Sequence, residues 1–169
     1  YVWIYHGLRY CYEAQRPSTE TFETVSTEET ITQEFIAREY YLKGIEFVFI
    51  NLAEDGNGEL DFRVLDSDGR IKANSEIAIS SVTAGEWEFI PLRVRLKAGE
   101  SYILEISAKD CSIPPYVLAR EKKTVGENTV LTASGAETSL ELLNAYGFAV
   151  SASRLERLLI TVMLAVCLF

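Results

Sequence analysis

Residues 87–106 read WEFIPLRVRLKAGESYILEI. Leu92, Val94 and Leu96 share one parity, with Arg93 and Arg95 between them. After the turn residues Lys97-Ala98-Gly99-Glu100, Tyr102, Leu104 and Ile106 repeat the pattern. A period of two with polar residues interleaved belongs to strands with one covered face. Trp87 and Phe89 have the opposite parity to Leu92. A strand that keeps both sets in one core must bulge or bend between them. Pro91 stands at the change, where a missing N–H is tolerated. The expectation is a bulge at Ile90-Pro91, with Trp87 and Phe89 facing the core beside Leu92 and Val94.

Working outward, Leu60, Phe62 and Val64 alternate with Asp61 and Arg63 in a half-buried strand. Hairpin-turn chemistry brackets it: Glu54-Asp55-Gly56-Asn57-Gly58 before and Asp66-Ser67-Asp68-Gly69 after. Ile45, Phe47 and Phe49 alternate while Val48 and Ile50 fill the other side, so that strand is expected buried on both faces. Ile77 and Ile79 suggest a further strand, and others are expected near 116–120, 129–132 and 140–150. The last, SLELLNAYGFAV, also fits the start of a helix. Short strands at regular spacing between polar turns predict an all-β fold, an antiparallel β-sandwich, over residues 31–150. Its core is expected to hold Ile45, Phe47, Phe62, Val64, Phe89, Val94, Leu104 and Ile106.

The flanks differ. Residues 158–169, LLITVMLAVCLF, are an uninterrupted apolar run preceded by Arg154 and Arg157. As helix it would span roughly 18 Å of a hydrocarbon core about 30 Å thick. We read 151–169 as the start of a transmembrane helix, which makes the membrane a partner and puts the sandwich on the extracytoplasmic side of a cell membrane. Residues 1–12 crowd Tyr1, Trp3, Tyr5, Tyr10 and Tyr12 and read as a membrane-proximal aromatic segment. Residues 13–30 are polar, acidic and rich in Ser and Thr, a linker by composition.

The formal net charge of -9 opposes phosphate backbones, so nucleic acid is not an expected partner. His6 is the only histidine and lies outside the sandwich, which removes the base of a nucleophilic triad. The fragment is therefore expected to be non-catalytic. Cys11, Cys111 and Cys167 show no metal-ligand spacing. A Cys11–Cys111 bridge would need Cα atoms within about 7 Å; free thiols are the expectation. No cofactor is expected. The weak exception is calcium on Asp55, Asn57 and Glu59, which place oxygens at alternate positions; Leu60 stands where a calcium loop of the EF-hand type needs Gly.

The order Ile31-Thr32-Gln33-Glu34-Phe35, Leu42-Lys43-Gly44-Ile45-Glu46, Asp66-Ser67-Asp68-Gly69, Trp87-Glu88-Phe89-Ile90-Pro91 and Lys97-Ala98-Gly99-Glu100-Ser101-Tyr102 resembles a known type of domain. It is the jelly-roll, galactose-binding-like sandwich carried as an external loop by bacterial polytopic membrane proteins of the glycosyltransferase-like or surface-polysaccharide assembly type. The resemblance covers residues 30–150 and implies a non-catalytic ectodomain with a structural or interaction role. The alternative is a carbohydrate-binding module serving such a protein. For that, Tyr40, Tyr41 and Tyr116 are the candidate residues to stack on a glycan ring, because an aromatic face is apolar and a hydroxyl tip is wet.

Overall fold

The structure is a computed structural model that describes residues 10–12, 22–121 and 130–149. Two antiparallel sheets pack face to face. The first holds β2 (Glu23–Ser26), β9 (Tyr116–Glu121), β4 (Tyr41–Ile50) and β7 (Trp87–Arg95), paired in that order. The second holds β3 (Ile31–Ile36), β8 (Ser101–Lys109), β5 (Glu59–Leu65) and β6 (Ile71–Ala78). From β2 to β9 every connection crosses between sheets except the β5–β6 hairpin, which is the eight-strand jelly-roll connectivity. The expected sandwich is thus the observed fold. Asp66–Gly69 makes the hairpin, with Gly69 at φ +75°. The Glu54–Gly58 turn instead carries the chain from one sheet to the other, a correction to its hairpin reading.

The remaining strands are additions to this frame. β10 (Leu131–Ala133) and β11 (Ala136–Thr138) form a hairpin that extends the second sheet beyond β3. β9 touches β4 only at Phe49↔Val117 and Ile50↔Tyr116. Beyond those pairs, β12 (Leu140–Leu142) lies along β9 and β13 (Asn144–Ala149) along β4. Residues 140–149 are therefore strand, not helix. Leu142 and Phe148 are buried, and Tyr146 stacks on Phe35 with ring centroids 4.8 Å apart. β1 (Tyr10–Tyr12) pairs with β13. β2 falls within the stretch read as linker; Val25 is its single buried residue, too weak a signal for composition to register.

The core is centred on Phe47, Phe49 and Phe62, whose ring centroids lie 5.8–6.2 Å apart. Ile31, Ile45, Leu60, Leu104 and Ile106 surround them, all fully buried. Seven of the eight expected core residues are there; Phe89 is not. β7 keeps one alternation throughout: Ile90, Leu92, Val94 and Leu96 are buried, while Trp87, Phe89, Pro91, Arg93 and Arg95 face out. Ile90 is the residue the parity argument left out. It has the parity of Leu92, so no break is needed to explain the pattern. A bulge does exist, two residues beyond the expected place. Leu42 pairs with Val94 and Gly44 with Pro91, so Leu92 and Arg93 together oppose Lys43, and Arg93 takes φ +50°. The core parity that changes is that of β4, where Leu42 and Ile45 are both buried.

Among the described residues no helix is long and apolar enough to cross a membrane. The expected membrane segment at 158–169 and most of the aromatic segment at 1–12 lie outside the described residues.

Candidate functional site

The three tyrosines proposed for a glycan do not meet. Tyr40, 63% exposed, precedes β4, and its carbonyl accepts the Leu96 N–H at 3.0 Å. Tyr41 opens β4 opposite Arg95. Tyr116 opens β9 opposite Ile50, the last residue of β4. Ten residues of strand place the two ends about 30 Å apart. One sugar ring cannot touch both, so Tyr40, Tyr41 and Tyr116 do not form one site.

The calcium candidates have other partners. Asp55 Oδ1 accepts the Asn57 N–H at 3.2 Å and the Ser112 hydroxyl at 3.1 Å, while Oδ2 accepts from Asn57 Nδ2 at 3.0 Å. These bonds, the Asn57 backbone N–H above all, hold the Asp55 carboxyl below its ordinary pKa. They are the bonds of a side-chain-capped turn. Glu59 begins β5 opposite Ala78 and Lys109. No group of three or more His, Cys, Asp or Glu among the described residues could hold a metal ion.

Cys111 is a free thiol whose Sγ lies 3.2 Å from the Lys109 carbonyl oxygen. Burial pushes its pKa up, which keeps it protonated and poorly nucleophilic. It packs on Gly58, where a Cβ would come within 2.5 Å of the sulfur. Cys11 lies on β1 opposite Phe148, which pairs with Leu42 at the other end of the sandwich. The two cysteines are therefore not within bridging reach.

Trp87 and Phe89, expected in the core, instead form an aromatic surface. Trp87 and Phe89, 38% and 44% exposed, stand on the outer face of the first sheet. Successive residues of one face are about 7 Å apart along a strand. Trp87 lies opposite Val48, which is buried, and Phe89 opposite Glu46. The Phe89 ring lies across two glycines. A Cβ on Gly44 would fall 2.5 Å from its Cζ, and one on Gly147 would fall 3.6 Å from its Cε2. Gly44 and Gly147 pair with each other across β4 and β13. The missing side chains make a seat in which the ring rests close to backbone while remaining 44% exposed. The legible signal was Ile90, whose parity puts Phe89 outside.

The outer face of the second sheet is built from charges. Asp61 is 2% exposed and holds Arg63 Nη2 at 2.6 Å and Lys109 Nζ at 2.9 Å. Lys109 also reaches Glu76 at 3.1 Å. The Asp61 contact, then Glu76, raises the Lys109 pKa above its ordinary value. At the junction of β9 and β12, Arg120 Nε donates to Glu141 Oε1 at 2.7 Å. The Arg120–Glu141 pair belongs to the first sheet, so both outer faces hold ion pairs, and the first also presents the Trp87 and Phe89 rings.

No protein-family model matches the chain, and no curated protein matches it.

Proposed function

We propose that this chain is a non-catalytic extracytoplasmic module of a bacterial membrane protein and that it works by interaction, through the outer face of the first sheet. One observation carries this: Trp87 and Phe89 stand exposed side by side on the face whose opposite number is filled with ion pairs. Exposed aromatic clusters cost solvation and mark contact surfaces. The apolar run at 158–169 supplies the membrane attachment.

A second function, glycan binding in service of a membrane glycosyltransferase or polysaccharide-assembly protein, is favoured by the seating of Phe89 on Gly44 and Gly147. A ring seated against backbone and still 44% exposed offers apolar surface to the C–H face of a sugar, and Glu46 beside it supplies a hydrogen-bond acceptor.

Two measurements test these functions. External protease on intact cells should cleave the module in its parent protein; protection until lysis would overturn the extracytoplasmic placement. Calorimetry against soluble oligosaccharides separates the two modes. Millimolar-range binding that is lost in Trp87→Ala and Phe89→Ala establishes the glycan site. Absence of binding removes it and leaves interaction with a protein partner.

A further inference from the structure

β6 is the edge of the second sheet. β5 occupies one side of it, and on the other side the backbone groups of Ile71–Ile77 have no partner among the described residues, while the Ala78 carbonyl accepts from the Ser81 hydroxyl at 2.7 Å. Free edges are normally blunted, and the edge of the first sheet is: β7 carries Pro91 and the Arg93 bulge. β6 contains no proline, and its one irregularity, at Lys72, lies near its start.

The sequence of this edge has a two-fold pattern. Ile71-Lys72-Ala73-Asn74-Ser75-Glu76-Ile77 runs apolar, charged, small, amide, small, charged, apolar, with the two charges opposite in sign. Pairing of Glu76 with Asp61 and of Asn74 with Arg63 puts both on the outer face. Lys72, the extra residue of the irregularity between Ile71 and Ala73, is exposed as they are. We infer that β6 pairs antiparallel with β6 of a second copy of this chain, about a two-fold axis at Asn74, joining two six-stranded sheets into one. In that register Lys72 stands opposite Glu76 of the second copy, twice by symmetry. Asn74 meets Asn74 and Ala73 meets Ser75; Ile71, 56% exposed, lies beyond the irregularity on the outer face and takes no part in the ladder. Shifting the axis to Ala73 or Ser75 sets Lys72 or Glu76 against Asn74 and loses both ion pairs.

The charges argue for this occupant over others. Lys72 has no ion-pair partner among the described residues. Glu76 ends the chain of contacts from Arg63 through Asp61 and Lys109. Lys72 of the second copy extends that chain across the new ladder. A lysine on an edge strand deters pairing in general; here it deters every register except the one that supplies an acid. The contact is isologous, so it closes at two copies.

Asn74→Cys in the full chain tests the inference, because residues on the axis face each other with Cβ atoms about 5 Å apart. Mild oxidation should give disulfide-linked dimer about tenfold above the unmodified chain, whose own cysteines set the background. Ser67→Cys, exposed in the β5–β6 hairpin, should stay at background. Adding Lys72→Glu to Asn74→Cys should lower the yield about tenfold, and Lys72→Glu with Glu76→Lys should restore it. Cross-linking of Asn74→Cys no better than Ser67→Cys, or no response to Lys72→Glu, overturns the inference. Glu76→Lys also removes the Lys109 contact, so the melting temperature of the double variant is read alongside; if it does not fold, the Lys72→Glu result decides.

Discussion

Asp66 shows how much a single turn residue is asked to do. Its Oδ1 accepts the Arg70 N–H at 2.9 Å and the Asp68 N–H at 3.1 Å. The Arg70 bond, with the Asp68 bond and the nearby positive charges, lowers its pKa below the ordinary 3.8. A carboxylate whose folded pKa is depressed contributes stability above its unfolded pKa and loses it as pH falls through the folded value. Asp66→Ala should therefore melt below the parent at neutral pH, and the gap should close as the pH falls below 3.8 through the lowered folded value. A gap that persists at pH 2 would assign the effect to backbone conformation instead of charge. The Asp-Ser-Asp-Gly stretch announced this turn in the sequence, since Asp caps its own loop and Gly accepts positive φ. The Asp55 turn was equally legible as a turn. What the stretch could not say is that one closes a hairpin and the other joins two sheets.

At the scale of the element, β7 carries the lesson about faces. Arg93 holds φ +50° at the bulge, a conformation that β-branched residues resist. Arg93→Val should destabilise by about 1–2 kcal/mol, while Arg93→Gly should leave stability within about 1 kcal/mol of the parent. Urea unfolding measures both; equal values would place the cost in a lost arginine contact instead of the backbone. That β7 is a strand was legible from Leu92, Val94 and Leu96 alone. Its bulge does not serve to keep Trp87 indoors, because Ile90 already fills the core parity. A large aromatic residue is no guide to sidedness when a glycine seat outside can hold it, and Gly44 and Gly147 come from two other strands.

For the whole molecule, Gln33 ties the two sheets together. It projects from β3 into the core, where its Oε1 accepts the Leu142 N–H of β12 at 2.7 Å and its Nε2 donates to the Tyr146 hydroxyl at 3.4 Å. Gln33→Leu leaves that buried N–H unanswered and should cost about 1–3 kcal/mol in urea unfolding. A neutral outcome would mean that the Leu142 amide finds another acceptor. Gln33 shares the parity of Ile31 and Phe35, which puts it on the covered face, but its partner is 109 positions away and is not legible in the sequence.

Local sequence suffices for the all-β class, the hairpin at Asp66–Gly69, and seven of the eight core residues expected from alternation. Alternation and turn chemistry are local and act over a few residues. Tertiary structure alone decided that Glu23–Ser26 is a strand, that 140–149 runs beside β4 and β9, and that Trp87 and Phe89 face out. A period of two states which residues share a face. Which face is covered depends on the strand or sheet that arrives against it, and those partners are distant in the chain.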